Sequence, residues 1–346
     1  MILSVIFAVV LTTLCCVLSH QIIRWMKIPA DIAKEAYAYM FVVLLGTGAT
    51  VFYNMISNIL RALGDSKTPL YFLVFSSVLN IFLDILFILP LGMGVAGAAW
   101  ATILSQFLSA VLSLIVGMRR FEVLHLKKDD FANLGNAMTV HLKTGFPMGF
   151  QMSVMCIGQL AMQMVVNSLG TAAVAGYTAA SKADQLSVLV NNAMMTAISN
   201  YVAQNFGAGK KERIQQGVRA SLIQTETFNL LMCVGILLLR HPIVELFMSS
   251  PTKEIYHYSD VYLTIVAPFY IVLGLLAVYR TAIQSMQNGW APFAACMIEL
   301  VMRISATVGL VGMLGYTSVC IASPMAWFGA CALLIPCYYR MMKAWK

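Results

Sequence analysis

Arg61-Ala-Leu-Gly-Asp-Ser-Lys-Thr-Pro69 leads into an apolar run from Leu70 to Leu91 that carries Asn80 and Asp84 in its interior. At 1.5 Å per helical residue, such a run crosses a hydrocarbon core about 30 Å thick. Laid against itself at an offset of 223 residues, the chain puts this stretch on Gln284-Ser-Met-Gln-Asn-Gly-Trp-Ala-Pro292 and the run that follows it, and Gly92 falls on Gly315. Slightly shifted, His20-Gln-Ile-Ile lies on His241-Pro-Ile-Val and Ile28-Pro29 on Ser250-Pro251. Identity is low, so the weight rests on the shared order of apolar runs, turns and prolines. The second copy crosses the bilayer in the same direction as the first, because the offset passes an even number of spans. That predicts a parallel repeat about an axis along the membrane normal.

Working outward, we count ten runs long enough to span, over 2–23, 36–60, 70–91, 95–117, 141–167, 171–201, 217–239, 259–286, 292–314 and 318–337. The breaks hold turn formers, among them Gly64-Asp65, Gly92-Met93-Gly94, Ser168-Leu169-Gly170 and Asn288-Gly289. The composition agrees: 346 residues are 60% hydrophobic and 10% charged, against about 25% charged in soluble domains, and the mean hydropathy is +0.82. The runs lack the ten-residue alternation of a barrel, so the expected class is an all-α polytopic membrane protein. A net charge of +8 does not point to nucleic acid, because the bases sit in short loops rather than on one wet face. The eight cysteines lie inside apolar runs with no CxxC pair, and read as small apolar packers rather than a disulfide or zinc framework. The first run lacks a basic lead and is long enough to span, unlike a cleavable signal.

With alternating spans, Lys and Arg fall fourteen on one side (Arg61, Lys67, Arg119, Arg120, Lys127, Lys128, Lys143, Lys210, Lys211, Arg213, Arg219, Arg340, Lys343, Lys346) and five on the other (Arg24, Lys27, Lys34, Arg240, Lys253). The positive-inside rule then places both termini in the cytoplasm, in the cell membrane. The expected organisation is an amino-terminal lobe over 1–118, a cytoplasmic linker over 119–140 and a carboxy-terminal lobe over 141–346. Four spans of the first lobe match the last four of the second, which has two more in front. The repeat therefore implies a 6 + 6 helix plan, of which this sequence shows 4 + 6.

Charges at bilayer depth cost several kcal/mol, so each is a candidate functional group. Asn80 and Asp84 stand at i, i+4 on one helix face, with the Thr102 hydroxyl one span later at comparable depth. They could ligate a hard cation such as Na⁺, form a protonatable acid, or simply bond to backbone at a helix junction. Glu299 and Arg303, also i, i+4, are expected to form an ion pair that cancels much of its own desolvation cost. Lys182 and Asp184 are two apart and need partners elsewhere, at a cavity or a helix interface. The fifth and sixth spans are rich in Met and amides, including Met148, Gln151, Met155, Asn191 and Met194, which suits either a promiscuous cavity or ordinary gap filling. Pro147 and Pro268 permit bending. No nucleotide-binding loop or hydrolase motif is present, so the chain reads as no enzyme, and active transport would draw on an ion gradient.

Arg61-Ala-Leu-Gly-Asp with Pro69, Leu79-Asn80 through Asp84, Gly145-Phe-Pro147, Leu169-Gly170-Thr-Ala-Ala-Val-Ala175 and Ala203-Gln-Asn-Phe-Gly-Ala-Gly209 together resemble the multidrug and toxic compound extrusion (MATE) family, from its third helix onward. The resemblance implies paired six-helix lobes that export cationic or amphipathic compounds in exchange for Na⁺ or H⁺ by alternating access. It implies a cation-coupling site at Asn80, Asp84 and Thr102 with Tyr39 beside it, completed in the family by an Asp on a first helix not present in this sequence. Carboxylates used by some members in the other lobe resemble Met155 and Leu273 here, which would leave that lobe without them. No cofactor is implied. The implied partners are a small-molecule substrate, Na⁺ or H⁺ and the lipid bilayer around a monomer. A flippase for a lipid-linked head group and a non-transporting membrane scaffold are the alternatives.

Overall fold

The computed structural model describes residues 2–25, 33–125, 134–248 and 251–345. Lys27, Ile28, Pro29, Lys127, Lys128, Ser250 and Lys346, used above for topology and repeat, lie outside the described residues, as does much of the 119–140 segment. Every element among the described residues is helical: α1 (Ile2–Trp25), α2 (Ala33–Leu45), α3 (Thr47–Ala62), α4 (Lys67–Ile88), α5 (Gly94–Arg120), α6 (Leu134–Ser168), α7 (Thr171–Gly207), α8 (Lys211–Phe247), α9 (Lys253–Val266), α10 (Tyr270–Ser285), α11 (Trp290–Gly309), α12 (Val311–Leu314) and α13 (Tyr316–Ala344).

The chain divides into two compact units, Met1–Met138 and Thr139–Lys346. In the first, α5 is the spine: α2, α3 and α4 pack on it, and α1 packs on α2 and α3. Its buried face is a ladder of small residues at i+4 spacing, Gly97, Ala101, Ser105, Ser109, Ser113 and Gly117. Small side chains let backbones approach where lipid supplies no hydrophobic drive. The Ser109 hydroxyl accordingly reaches across to donate to the Phe72 carbonyl at 2.6 Å. In the second unit α13 takes the same place, with α9, α10 and α11 against it and α8 on α9 and α10. Its buried ladder is Ala322, Ala326 and Ala330. Two helices have no counterpart in the first unit: α6, and α7, which packs on α8, α9 and α10.

The repeat extends to individual turns. After α3, Gly64 adopts φ 89°, and Asp65 N donates to Leu60 O at 2.9 Å, closing the helix with a left-handed residue. Asp65 then caps α4: its carboxylate accepts from Thr68 N at 2.9 Å and Thr68 Oγ1 at 2.6 Å, and from Arg120 at 2.8 Å. After α10, Gln287 takes the same left-handed place at φ 64°, Asn288 N donates to Ile283 O at 3.3 Å, and Asn288 Oδ1 caps α11 at Ala291 N, 3.1 Å away. Pro69 and Pro292 both sit in the first helical turn, where no amide donor is required. Each unit also breaks one span at a matching place. Between α2 and α3 the axis bends by 42° at Gly46, and between α9 and α10 a 3₁₀ turn over Ala267–Phe269 contains Pro268.

Among the described residues, eight helices have the length and apolar composition needed to cross a bilayer, and the bent α2–α3 pair has them when taken as one span. The expected ten include α7, which is 37 residues long but less apolar than the others. Lys182, Asp184, Asn191 and Asn192 interrupt its run, and its buried face includes Ala173, Gly176, Ala179, Ala180 and Ala183. The exterior of the others is apolar: Leu70, Tyr71, Val74, Val78, Ile81, Phe82 and Ile85 of α4 are all exposed, a patch that calls for a hydrocarbon solvent.

Candidate functional site

In the first unit, α4 and α5 bring three of the four expected residues to one region. Asn80 Nδ2 donates to Thr102 Oγ1 at 3.3 Å, and that hydroxyl donates to the Ala98 carbonyl at 3.1 Å. Asp84 follows Asn80 by one turn on the same helix. Its Oδ1 is buried and has no hydrogen-bond partner among the described residues. The Asn80 amide carbonyl is not used in its bond to Thr102, so an amide oxygen and an unpartnered carboxylate share one face. Such a pair can hold a hard cation or take up a proton. Tyr39, on α2, is 42% exposed and makes no ring or hydrogen-bond contact with the other three among the described residues. Sequence reasoning missed a neighbouring pair: Thr50 Oγ1 of α3 donates to Gln106 Oε1 at 2.7 Å, one turn beyond Thr102 on α5. The i+4 spacing of Thr102 and Gln106 was the available signal.

The second unit holds more buried charge. Asp184 of α7 accepts from Tyr262 Oη of α9 at 2.5 Å and from Tyr270 Oη of α10, which supplies the partners its spacing from Lys182 required. Lys182 itself is exposed and lines a shallow cleft of about 260 Å³ with Ala175, Thr178, Ala179, Phe247 and Met248. Asn191 Nδ2 donates to Asn229 Oδ1 at 3.0 Å, and Asn229 Nδ2 donates to the Tyr270 carbonyl at 2.9 Å, tying α7, α8 and α10 together.

The expected pairing of Glu299 with Arg303 is present, at 4.0 Å, and Glu299 is also held more closely by Arg280 of α10. The i, i+4 spacing identified a neighbour along the helix, but a guanidinium arriving from the packed helix can approach the carboxylate head-on. All three are largely buried. Beside them, Gln284 Nε2 donates to Gln151 Oε1 at 2.9 Å, linking α10 to α6. Glu226, inside the seventh apolar run, was overlooked although one acid in an apolar helix is itself the signal.

The fold defined by these observations is that of a polytopic helical membrane protein built on an internal four-helix repeat, with acids inside its apolar helices that lack a partner among the described residues. A model of the MatE family matches residues 1–86 and 147–308, and the chain belongs to that family. It is 31% identical over 343 residues to the probable multidrug resistance protein YpnP of Bacillus subtilis, covering 95% of this chain and 73% of that one. It is 28% identical over 302 residues to the probable multidrug resistance protein NorM of Thermotoga maritima, covering 86% of this chain and 64% of that one. Among solved structures, a Vibrio cholerae MATE transporter, VcmN, superposes with a TM-score of 0.91 at 18% identity, over 99% of this chain and 78% of that one. This last likeness speaks to the fold.

Proposed function

We propose that the chain acts as a secondary active antiporter that exports cationic or amphipathic drug-like compounds, with Na⁺ or H⁺ bound at Asp84 driving the exchange. The observation that carries this reading is the buried, unpartnered Oδ1 of Asp84 on the face it shares with Asn80. Occupancy by a cation or proton removes the cost of the buried anion, so it stabilises whichever conformation encloses the site. A ligand shifts a conformational equilibrium only through such differential affinity. The names of the B. subtilis and T. maritima relatives support the substrate class. On this reading the protein lies in the cell membrane with both termini cytoplasmic and works as a monomer. The lobe boundaries stay near 118 and 141, and Tyr39 borders the coupling site without ligating it. The flippase alternative is weaker, because Arg280 and Arg303, the bases available for an anionic head group, flank Glu299 in the helix interior.

Asp84→Asn in reconstituted vesicles, with sodium and pH gradients imposed separately, tests the proposal. Gradient-driven export is expected to be abolished while insertion is retained. Transport at the unsubstituted rate under both gradients rejects the assignment.

A further inference from the structure

The second unit contains an acid whose surroundings offer its ionised form no partner among the described residues. Glu226 lies midway along α8, and both of its carboxyl oxygens are buried without a hydrogen-bond partner among the described residues. Leaving an anion in that condition costs several kcal/mol or more, and such a group neutralises instead.

The space around it is built for a neutral carboxyl. Gly274 of α10 faces it, and a Cβ there would stand 2.6 Å from Glu226 Oε1 and 2.4 Å from Asn229 Nδ2. Any larger residue there would push both side chains aside, so the glycine makes room for the acid in this position. Asn229, one turn from Glu226, donates one amide hydrogen to the Tyr270 carbonyl and accepts from Asn191 with its oxygen; its second amide hydrogen makes no bond to the carboxyl among the described residues. The titratable groups that neighbouring helices turn toward this interior are engaged or uncharged. Asp184 is held by Tyr262 and Tyr270, Arg280 is committed to Glu299, and Cys331 of α13 feels the charges of both Glu226 and Arg280. Charge balance points the same way. With Glu226 neutral, the buried carboxylates of Asp184 and Glu299 match the buried guanidiniums of Arg280 and Arg303.

We propose that Glu226 is a proton-binding site of the second unit, separate from Asp84, carrying its proton at neutral pH. A proton rather than a metal cation is the occupant, because a hard cation gathers several oxygens at once while a proton needs one. The proton adds to a carboxyl oxygen and leaves to water when the wall opens. The break at Ala267–Phe269 supplies a pivot, since α10 begins immediately after it and carries both Tyr270 and Gly274. Proton binding at rest does not depend on the transport reading; release during the cycle does.

The test is infrared spectroscopy of the purified full chain in lipid vesicles, titrated between about pH 5 and about pH 9, a window that lies above the ordinary glutamate value of about 4.3. A carboxylic-acid carbonyl band that shifts in D₂O is expected at neutral pH. In the Asp84→Asn background, where the other proposed proton site is removed, the band should persist, and it should be lost on adding Glu226→Gln but not on adding Asp184→Asn. A band unchanged by Glu226→Gln in that background, or absent from Asp84→Asn at neutral pH, overturns the proposal. So does a band of Asp84→Asn abolished by sodium at constant pH, which would make the occupant a metal cation. Should Glu226→Gln misfold, a hydrophobic carbodiimide on the unsubstituted protein reports directly, since it modifies protonated acids. A mass adduct at Glu226 that declines as pH rises supports the site, and its absence overturns it. Because these readouts involve no transport, export that fails in Asp84→Asn while the Glu226 band survives separates this inference from the proposed function.

Discussion

The two units share one architecture and opposite interiors. Each is built on a ladder of small residues on its last helix, each breaks one span at the same place, and each closes one helix and caps the next with the same left-handed turn. Yet the first unit keeps few charges in its interior, with Asp84 half-buried beside amides and hydroxyls, while the second buries Glu299 and Arg303 and half-buries Asp184, Glu226 and Arg280. At the repeat offset Glu299 corresponds to Ser76, Arg303 to Asn80, and Thr307 to Asp84; Gly274 corresponds to Val51, and α1 carries no carboxylate at all. Backbone geometry, set by turns and small residues, survives the loss of sequence identity. Interior chemistry does not, so equivalent depths can do different work.

The contrast is broken most severely at Glu299. Glu299→Gln leaves two buried guanidiniums facing each other and is expected to lower unfolding stability in detergent by about 3–5 kcal/mol, the usual cost of removing one partner of a buried pair. The equivalent Ser76→Ala should change it little. A loss below about 1 kcal/mol for Glu299→Gln would mean that the cluster contributes little to holding α10 on α11.

A smaller effect is expected at the caps. Burial raises the proton affinity of Asp65, but its bonds from Thr68 and Arg120 outweigh that and hold the carboxyl below the ordinary range. Its folded pKa is depressed, so the stabilisation is fully present above the ordinary carboxylate value and is lost as pH falls through the folded one. Asp65→Ala should cost about 1–2 kcal/mol at neutral pH, and the variant should show less acid sensitivity than the unsubstituted chain in thermal melts. Asn288→Ala, at the matching cap, should cost about as much without that pH dependence.

The smallest change sharpens the comparison. Gln287 occupies the left-handed place that Gly64 fills in the first unit, so Gln287→Gly should stabilise by up to about 1 kcal/mol, read as a rise in melting temperature. Gly64→Gln should move it in the opposite direction.

Much of this fold was legible because the information is local and periodic. The apolar runs, the turn residues and Pro69 with Pro292 each mark structure within a few positions, and the offset aligned Asp65 with Asn288, which the structure shows to cap equivalent helices. The face shared by Asn80 and Asp84 was equally readable from helical spacing. What spacing along one helix cannot give is the partner brought by another: Arg280 reaches Glu299 from α10, and Tyr262 and Tyr270 converge on Asp184 from two elements. Glu226 escaped for a related reason, since its importance lies in the absence of neighbours, and Gly274 tells of that only once α8 and α10 are side by side.

The polarity of α7 reaches back to biogenesis. A helix of this polarity gains from the company of α8, α9 and α10, which pack on it, so this unit is expected to enter the bilayer as a group rather than one segment at a time.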